Sequence, residues 1–99
     1  MSGFVLTDRA REELTAIYRY IAESSPQNAD ALSYRFQAAM HKLARNPGLG
    51  HLRPEVISDP VRFYNVSGYQ IVYDPRTRPI RILMIVHGAR DLPGLFEGE

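Results

Sequence analysis

The spacing of apolar residues changes at Val61, and this change constrains the fold more than any other feature of the sequence. Before it, apolar residues recur at intervals of three and four over residues 10–21 and again over 32–43, which is the period of an amphipathic helix. After it, the pattern follows the period of two that is typical of a half-buried β-strand. The chain is therefore expected to place two helices before a sheet.

Two capping signals mark where the predicted helices begin. Thr7 is an N-cap candidate, and Asp8 follows it in the first turn, where a negative charge suits the helix dipole. Ser25 can cap a second helix with Pro26 at its first position, where the missing N–H costs nothing. The run Asn-Pro-Gly-Leu-Gly at 46–50 ends that helix. The short connection between the two predicts an antiparallel helical hairpin.

Four segments have the pattern of strands. Residues 4–6 are a short apolar run, expected at a sheet edge, and residues 61–66 and 69–74 flank Ser67-Gly68, a two-residue hairpin turn. Residues 80–86 are nearly all apolar, which favours a central strand. The predicted fold class is α+β. A short N-terminal strand, an antiparallel α-hairpin and a three-stranded antiparallel meander follow in the order β-α-α-β-β-β, with the helices packed on one sheet face.

The composition limits the class of protein. Ninety-nine residues make one small domain, 1–99, with a single core. The absence of cysteine excludes disulfides, thiolate nucleophiles and cysteine-based zinc sites. No signal-peptide pattern is visible, and no apolar run approaches the ~20 residues of a membrane span. A cytoplasmic protein without membrane contact is expected.

The cations are strongly biased toward arginine. The sequence has eleven arginines and a single lysine, Lys42, at a net charge of +1. Arginine pairs bidentately with carboxylate or phosphate, so an arginine-lined face for an acidic partner or a nucleic acid is one explanation. The other is a codon bias that favours arginine. A chain this close to neutral can hold a phosphate backbone only where its charges are segregated.

The last predicted strand runs into a compact polar signature at residues 85–93. His87, at the strand end, can act as an acid or base near neutral pH, or it can simply hydrogen-bond the backbone of a loop. Gly88 suits a turn with positive φ. Arg90 and Asp91 can pair with each other or pin the segment that follows.

Two further arginines lie inside predicted strands. By alternation, Arg62 shares a sheet face with Tyr64, and Arg81 shares one with Leu83, Ile85 and His87. If both faces open on one concave surface, two guanidiniums and an imidazole converge and can bind and cleave a phosphodiester. The alternative is that both arginines lie on the solvent face of a half-covered sheet.

A second polar cluster, His51, Arg53 and Glu55, lies in the stretch 51–60, for which the sequence favours no element. Its spacing matches no metal site, and neither a metal ion nor a cofactor is expected. The sequence also lacks a His-Glu-x-x-His helix, a phosphate-cradling glycine loop and a serine nucleophile motif.

The order of the elements and two segments resemble the RelE/ParE superfamily of toxins from bacterial type II toxin–antitoxin systems. One segment joins Val61-Arg62-Phe63 to Gly68-Tyr69-Gln70-Ile71-Val72-Tyr73. The other runs from Ile80-Arg81-Ile82 to His87-Gly88-Ala89-Arg90-Asp91. The resemblance covers essentially the whole chain and is closer to the ParE branch than to the RelE branch.

The two branches imply different activities. Proteins similar to RelE are ribosome-dependent endoribonucleases that cut mRNA, which would make Arg53, Arg62, Arg81 and His87 the catalytic candidates. Proteins similar to ParE inhibit DNA gyrase and thereby block replication, and for them no catalytic residue is expected. One lysine, a net charge of +1 and the lack of a tyrosine after His87 favour the gyrase target.

The resemblance also implies which residues bind and what they bind. The candidates for contact with the target or a partner are His87, Arg90, Asp91, Arg62 and Arg81. The implied partner is a cognate antitoxin, whose acidic and partly disordered segment lies across the helical hairpin and the sheet and folds as it binds. An incompletely closed sheet edge or an exposed apolar patch would fit such an inhibitor.

Overall fold

In the computed structural model, which describes residues 3–87, two helices pack against one face of a five-stranded sheet. The elements in chain order are β1 (Phe4–Leu6), α1 (Asp8–Ser24), α2 (Pro26–Arg45), a 3-10 helix (Pro47–Leu49), β2 (His51–Leu52), β3 (Arg62–Val66), β4 (Tyr69–Asp74) and β5 (Ile80–His87). The strands lie in the order β1-β5-β4-β3-β2. The predicted α+β fold is confirmed.

Both helices begin at the predicted caps. The Thr7 hydroxyl accepts the N–H of Ala10 at 3.1 Å, and the Ser25 hydroxyl accepts the N–H of Asn28 at 3.2 Å. Each cap satisfies a backbone donor that has no partner inside its helix. Among the described residues, no helix is long and apolar enough to cross a membrane.

The sheet is mixed rather than purely antiparallel. Strands β3, β4 and β5 form the predicted antiparallel meander. Strand β1 pairs in parallel with β5, with Phe4 opposite Ile80, because the helical hairpin carries the chain across the sheet before it returns. The two-residue strand β2, which the sequence did not indicate, pairs with the start of β3.

The turn between β3 and β4 is the predicted two-residue hairpin. Ser67 and Gly68 both have positive φ, 52° and 86°. A two-residue turn of this kind matches the right-handed twist of the strands, and glycine at its second position adopts the conformation without strain. This turn fixes the register that places Val66 opposite Tyr69.

Apolar side chains form one cluster on each side of the sheet. The helix side is the larger, and its fully buried members include Phe36, Leu43, Ile71, Tyr73 and Ile82. We call the opposite side the helix-free face, defined by Val61, Phe63, Val72, Met84 and Val86. Both faces of the sheet are therefore apolar at the centre.

Strand β5 carries one extra residue, Leu83, and this corrects an expectation from the sequence. Val72 lies opposite Met84 while Tyr73 lies opposite Ile82, so Leu83 has no partner in the register. A bulge of this kind shifts the alternation by one residue. Arg81 shares its face with Leu83, as predicted, but the prediction that it also shares this face with Ile85 and His87 is wrong.

Candidate functional site

Arg62 lies on the helix side of the sheet and holds a loop. Its guanidinium donates to the backbone carbonyl of Gly50 at 2.7 Å and to that of Gly48 at 3.3 Å. Arg62 shares its face with Tyr64, as predicted, because both flank Phe63, which belongs to the helix-free face. Its observed contacts are those of a residue that anchors the turn after α2.

Tyr73 fixes the same turn, a role that the sequence did not indicate. Its hydroxyl donates to the Pro47 carbonyl at 2.7 Å and accepts the Gly50 N–H at 2.8 Å. Burial raises the pKa of the Tyr73 hydroxyl above its ordinary value, although the hydrogen bond from Gly50 opposes the shift. A Cβ at position 50 would lie 2.7 Å from the Tyr73 hydroxyl, so only glycine fits here.

His87 lies at the other end of the sheet, against an aromatic ring. Its centroid is 4.9 Å from that of Tyr69, which in turn lies 5.8 Å from Phe36 on α2. The side chain is exposed. In the register of the sheet, His87 lies opposite Tyr69 and Arg62 lies opposite Tyr73. Tyr69 and Tyr73 are four residues apart on β4, so His87 and Arg62 are about 13 Å apart along the strand direction.

Arg81 is exposed on the helix-free face, at the end of the sheet away from His87. It lies opposite Asp74, whose carboxylate accepts two guanidinium hydrogen bonds from Arg76 at 3.0 Å. These hydrogen bonds lower the pKa of Asp74 below its ordinary value, and the positive charge of Arg81 adds to the effect. Arg81 therefore belongs to a structural ion cluster.

Arg53 also lies on the helix-free face. Its guanidinium sits 5.7 Å from the centroid of the Phe63 ring and pairs with the Glu55 carboxylate at 2.6 Å. The predicted binding residues Arg90 and Asp91 lie outside the described residues. Within residues 3–87, no group of three or more metal-ligating side chains is present.

The convergence of Arg62, Arg81 and His87 that a phosphodiester-cleaving site would need does not occur. Arg62 and His87 share the helix side but lie at opposite ends of the sheet, and Arg81 projects from the other face. The bulge at Leu83 puts Arg81 and His87 on different faces, and the length of the strands separates His87 from both arginines. These three residues do not form one site.

The two outer strands of the meander differ in how far their outer edges are covered. We call the outer side of β5 the sealed flank. Gly3 accepts the Ile80 N–H and Thr7 donates its N–H to Ile82, both at 3.0 Å. Further along, the Thr7 hydroxyl donates to the Leu83 carbonyl, and the Glu13 carboxylate accepts the Ile85 N–H, each at 2.8 Å. The segment from β1 into helix α1 thus supplies hydrogen-bond partners for the outward backbone groups of β5, one after another along the strand.

The outer side of β3 is covered only at its start. Strand β2 pairs with Arg62 and Phe63, and no described residue pairs with the outer side of Tyr64–Val66, which we call the open flank. Along an antiparallel pair of strands, hydrogen-bonded and non-hydrogen-bonded residue pairs alternate. Val66 and Tyr69 close the two-residue turn and form a hydrogen-bonded pair, so the next pair, Asn65 and Gln70, is not hydrogen-bonded. The N–H and C=O of Asn65 therefore point outward.

A groove with two cations runs beside the open flank, between α2 and β3. This basic groove has a volume of about 300 Å³ and is lined by Arg35, Ala38, Ala39, Lys42, Tyr64, Asn65 and Val66. Its floor is apolar, since the alanines and Val66 supply it. Arg35 and Lys42, both exposed, lie two helical turns apart on α2, and no described carboxylate lines the groove. The arrangement suits an acidic segment that also needs a strand partner.

This chain matches a family model, and its similar relatives include a named protein and a solved structure. The model described as the ParE toxin of the type II toxin–antitoxin system, parDE, matches residues 4–92. The Caulobacter vibrioides protein named Toxin RelE2 is 34% identical over 90 residues, which cover 91% of this chain and 99% of that protein. A solved structure, titled as the chromosomal ParDE TA system from P. aeruginosa, superposes with a TM-score of 0.69 over 90% of this chain and 98% of that one. At 22% identity, the structural match supports the fold alone.

Proposed function

Since this chain belongs to the ParE toxin family, we propose that it inhibits DNA gyrase through protein contacts and is neutralised by an acidic antitoxin segment at its open flank. Membership of the family makes the chain the toxin component of a type II toxin–antitoxin system. The identity of the target and the place where the antitoxin binds are the parts that we propose.

The observation that supports the gyrase target is the dispersal of the candidate catalytic groups. Cleavage of a phosphodiester needs an acid or base and a cation within reach of one phosphate. Here the guanidinium of Arg62 already donates to two backbone carbonyls, and Arg81 lies on the opposite face from His87. A toxin that acts by contact with a protein needs no such assembly.

Purified toxin in two parallel assays tests the target. In a gyrase reaction, we expect loss of supercoiling and accumulation of gyrase-linked DNA breaks, both reversed by the antitoxin. In a programmed ribosome, we expect intact mRNA. His87→Ala is the informative variant, because the alternative function, a ribosome-dependent mRNA endoribonuclease, depends on a proton-transferring group. Ribosome-dependent cleavage that His87→Ala abolishes would overturn the gyrase target.

The antitoxin site is supported by the geometry of the open flank and the basic groove. An extended segment that pairs with Asn65 would continue the sheet, and its backbone would satisfy the outward N–H and C=O. Acidic side chains on the same segment would then lie beside Arg35 and Lys42. Complementary charge of this kind speeds association and suppresses wrong partners.

The salt dependence of antitoxin binding tests the charge part of this proposal. Exposed ion pairs weaken as salt screens them, so we expect the affinity to fall between low and physiological ionic strength. Isothermal titration at several salt concentrations measures the effect. An affinity that does not change with salt would argue against the basic groove as the site.

A further inference from the structure

Strand β1 covers the edge of β5 but leaves its own outer edge open. In the parallel ladder, the Gly3 carbonyl and the Thr7 N–H both bond to β5, so these two residues turn their backbone groups inward. The direction alternates from residue to residue, so Val5 also bonds inward, whereas Phe4 and Leu6 turn their N–H and C=O groups outward. No described residue bonds to these outward groups.

The side chains of β1 do not protect this edge. Natural sheet edges are usually blunted by charged side chains, proline or a bulge. The three residues of β1 are Phe4, Val5 and Leu6, so shortness is the only such protection that the strand has. Phe4 and Leu6 pack on the helix side, and Val5 therefore faces the other way, where it is 45% exposed. The edge thus offers backbone donors, backbone acceptors and an exposed valine to a partner strand.

The strand is complementary to itself. In an antiparallel pair centred on Val5, Phe4 lies opposite the Leu6 of a second copy, and Leu6 lies opposite its Phe4. The residues with outward groups then face each other and exchange their N–H···O=C bonds. The two Val5 residues form the central, non-hydrogen-bonded pair, in which side chains approach closely. Both copies use the same surface, which is the form of an interface with two-fold symmetry.

The charges at the two ends of β1 favour a second copy over an acidic segment. Asp8 follows the carboxyl end of the strand, and its side chain is 97% exposed and pairs only loosely with Arg11, at 3.9 Å. At the amino end, the exposed His41 has its ring centroid 5.1 Å from that of Phe4. The two-fold axis keeps the helices of both copies on one side of the sheet, so the Asp8 carboxylate of each copy comes to lie beside the His41 imidazole of the other. An acidic antitoxin segment on this edge would meet Asp8 instead.

We propose that β1 pairs antiparallel with the β1 of a second copy of this chain and joins two five-stranded sheets into one. Stable protein interfaces bury about 1,200 Å² or more, and a pair of three-residue strands provides only part of that area. The dimer is therefore weak and concentration-dependent. The open flank and the basic groove lie at the opposite edge of each sheet and stay free. The inference does not depend on the gyrase target or on where the antitoxin binds.

Disulfide cross-linking of the full chain tests both the pairing and its register. Because the chain has no cysteine, Val5→Cys gives each copy a single thiol. In the proposed pair, the Cα atoms at this position are about 4.5 Å apart, which is within the range that a disulfide spans. We expect mild oxidation of the purified variant to give a covalent dimer, measured by non-reducing electrophoresis.

Leu52→Cys is the matched control for random collisions. Leu52 is 50% exposed and lies on β2, at the other end of the sheet. Its thiol is as accessible but has no counterpart aligned with it. We expect it to cross-link about 10-fold more slowly than Val5→Cys, because only the pairing of β1 holds two thiols in position.

Sedimentation equilibrium of charged variants provides the second measurement. Val5→Lys places two ammonium groups directly opposite each other in the proposed dimer, and like charges in that position are destabilising. We expect the self-association constant to fall about 10-fold or more relative to the parent chain. Leu52→Lys adds the same charge at the other edge and should self-associate as the parent does. Circular dichroism shows whether each variant is folded.

Three results would overturn the proposal. One is a parent chain that stays monomeric at every concentration. Another is Val5→Cys that cross-links no faster than Leu52→Cys. If the antitoxin then shields the Val5→Cys thiol from a maleimide reagent, this edge belongs to the antitoxin. The third is equal self-association of the two lysine variants, which would place the contact elsewhere on the chain.

Discussion

The sealed flank and the open flank are the two outer sides of one antiparallel meander, but the backbone hydrogen-bonding groups are covered along the first and left exposed on the second. Along β5, the backbone groups from Ile80 to Ile85 are covered in turn by β1, Thr7 and Glu13. Along β3, pairing with β2 stops after Phe63. Unpaired edges invite pairing with other chains, so a small protein normally blunts them. The uncovered length on β3 is therefore the natural place for a partner strand.

This difference between the flanks predicts that one contributes to the stability of the toxin and the other to binding of the antitoxin. Side chains at the sealed flank make buried or half-buried hydrogen bonds inside the toxin, so their loss should lower its free energy of unfolding. Side chains at the open flank are exposed, so their loss should weaken a complex and leave the free toxin stable. Four sets of variants test this division.

The largest effect is expected from reversing the charges of the basic groove. In the double variant Arg35→Glu, Lys42→Glu, attraction for an acidic antitoxin segment becomes repulsion. We expect antitoxin affinity to fall about 100-fold, mostly through slower association, which corresponds to ~2.7 kcal/mol. Surface plasmon resonance measures both rates.

The matched control reverses two exposed arginines on α1, Arg11 and Arg19, which do not line the groove. It changes the net charge by the same amount. Equal loss of affinity in both double variants would mean that only the overall charge matters, and the basic groove would not be the site.

The next effect concerns the sealed flank. Thr7→Val keeps the shape of the side chain but removes the helix cap on Ala10 and the hydrogen bond to the Leu83 carbonyl. Together these losses should lower the free energy of unfolding by about 2 kcal/mol. Chemical denaturation measures this, and antitoxin affinity at a temperature where the variant is folded should be unchanged.

Thr15→Val is the control for a hydroxyl on the same helix. The Thr15 hydroxyl is exposed and donates only to the Arg11 carbonyl one turn earlier. We expect little change in its stability. If Thr7→Val is as stable as Thr15→Val, the hydrogen bonds of Thr7 at the sealed flank do not contribute to the free energy of unfolding.

A smaller effect on affinity is expected from Asn65→Pro at the open flank. Proline removes the outward N–H without touching the hydrogen bonds of β3 with β4, and an edge strand tolerates it where the N–H faces solvent. One lost hydrogen bond should weaken antitoxin binding about 10-fold. Asn65→Ala keeps the N–H and should bind the antitoxin as the parent chain does. Equal antitoxin affinity of the two variants would contradict the pairing of an antitoxin strand with β3.

The smallest effect is electrostatic and concerns Asp74, the last residue of β4, which lies opposite Arg81 near the start of β5. The pKa of Asp74 is lowered by the Arg76 guanidinium, so its charge stabilises the fold above the ordinary carboxyl pKa of about 3.9 and ceases to do so as the pH falls through the lower folded value. Asp74→Asn should cost about 1 kcal/mol at pH 7, since Arg76 is largely exposed. The stabilities of the parent and variant should converge in acid.

Asp30→Asn removes an exposed carboxylate on α2 and serves as the control. Its stability at pH 7 should equal that of the parent chain. A difference between parent and Asp74→Asn that does not shrink toward low pH would show that the loss is not one of charge.

The features that the sequence predicted are those with local causes. The caps at Thr7 and Ser25 and the turn at Ser67-Gly68 depend on residues within a few positions, and all three are confirmed. The amphipathic patterns likewise gave the helical hairpin and the meander. Each of these signals lies in the segment whose structure it determines.

The features that it missed depend on distant residues. Strand β2 has two exposed residues and exists only because β3 lies beside it. The bulge has no local signal, because Leu83 and Met84 are both apolar and either can face the sheet interior. That bulge places His87 and Arg81 on opposite faces. The distance of His87 from both arginines depends on the register of the strands, which alternation does not give. The contacts of the Tyr73 hydroxyl have no local signal either, because its partners Pro47 and Gly50 lie more than twenty residues away.

Amide hydrogen exchange at Asn65 tests the contrast between the two flanks most directly. In the free toxin, the Asn65 N–H should exchange rapidly, whereas the Ile85 N–H, bonded to Glu13, should be protected. On binding the antitoxin, the Asn65 N–H should become protected and the Ile85 N–H should change little. An Asn65 N–H that still exchanges rapidly in a saturated complex would contradict the account.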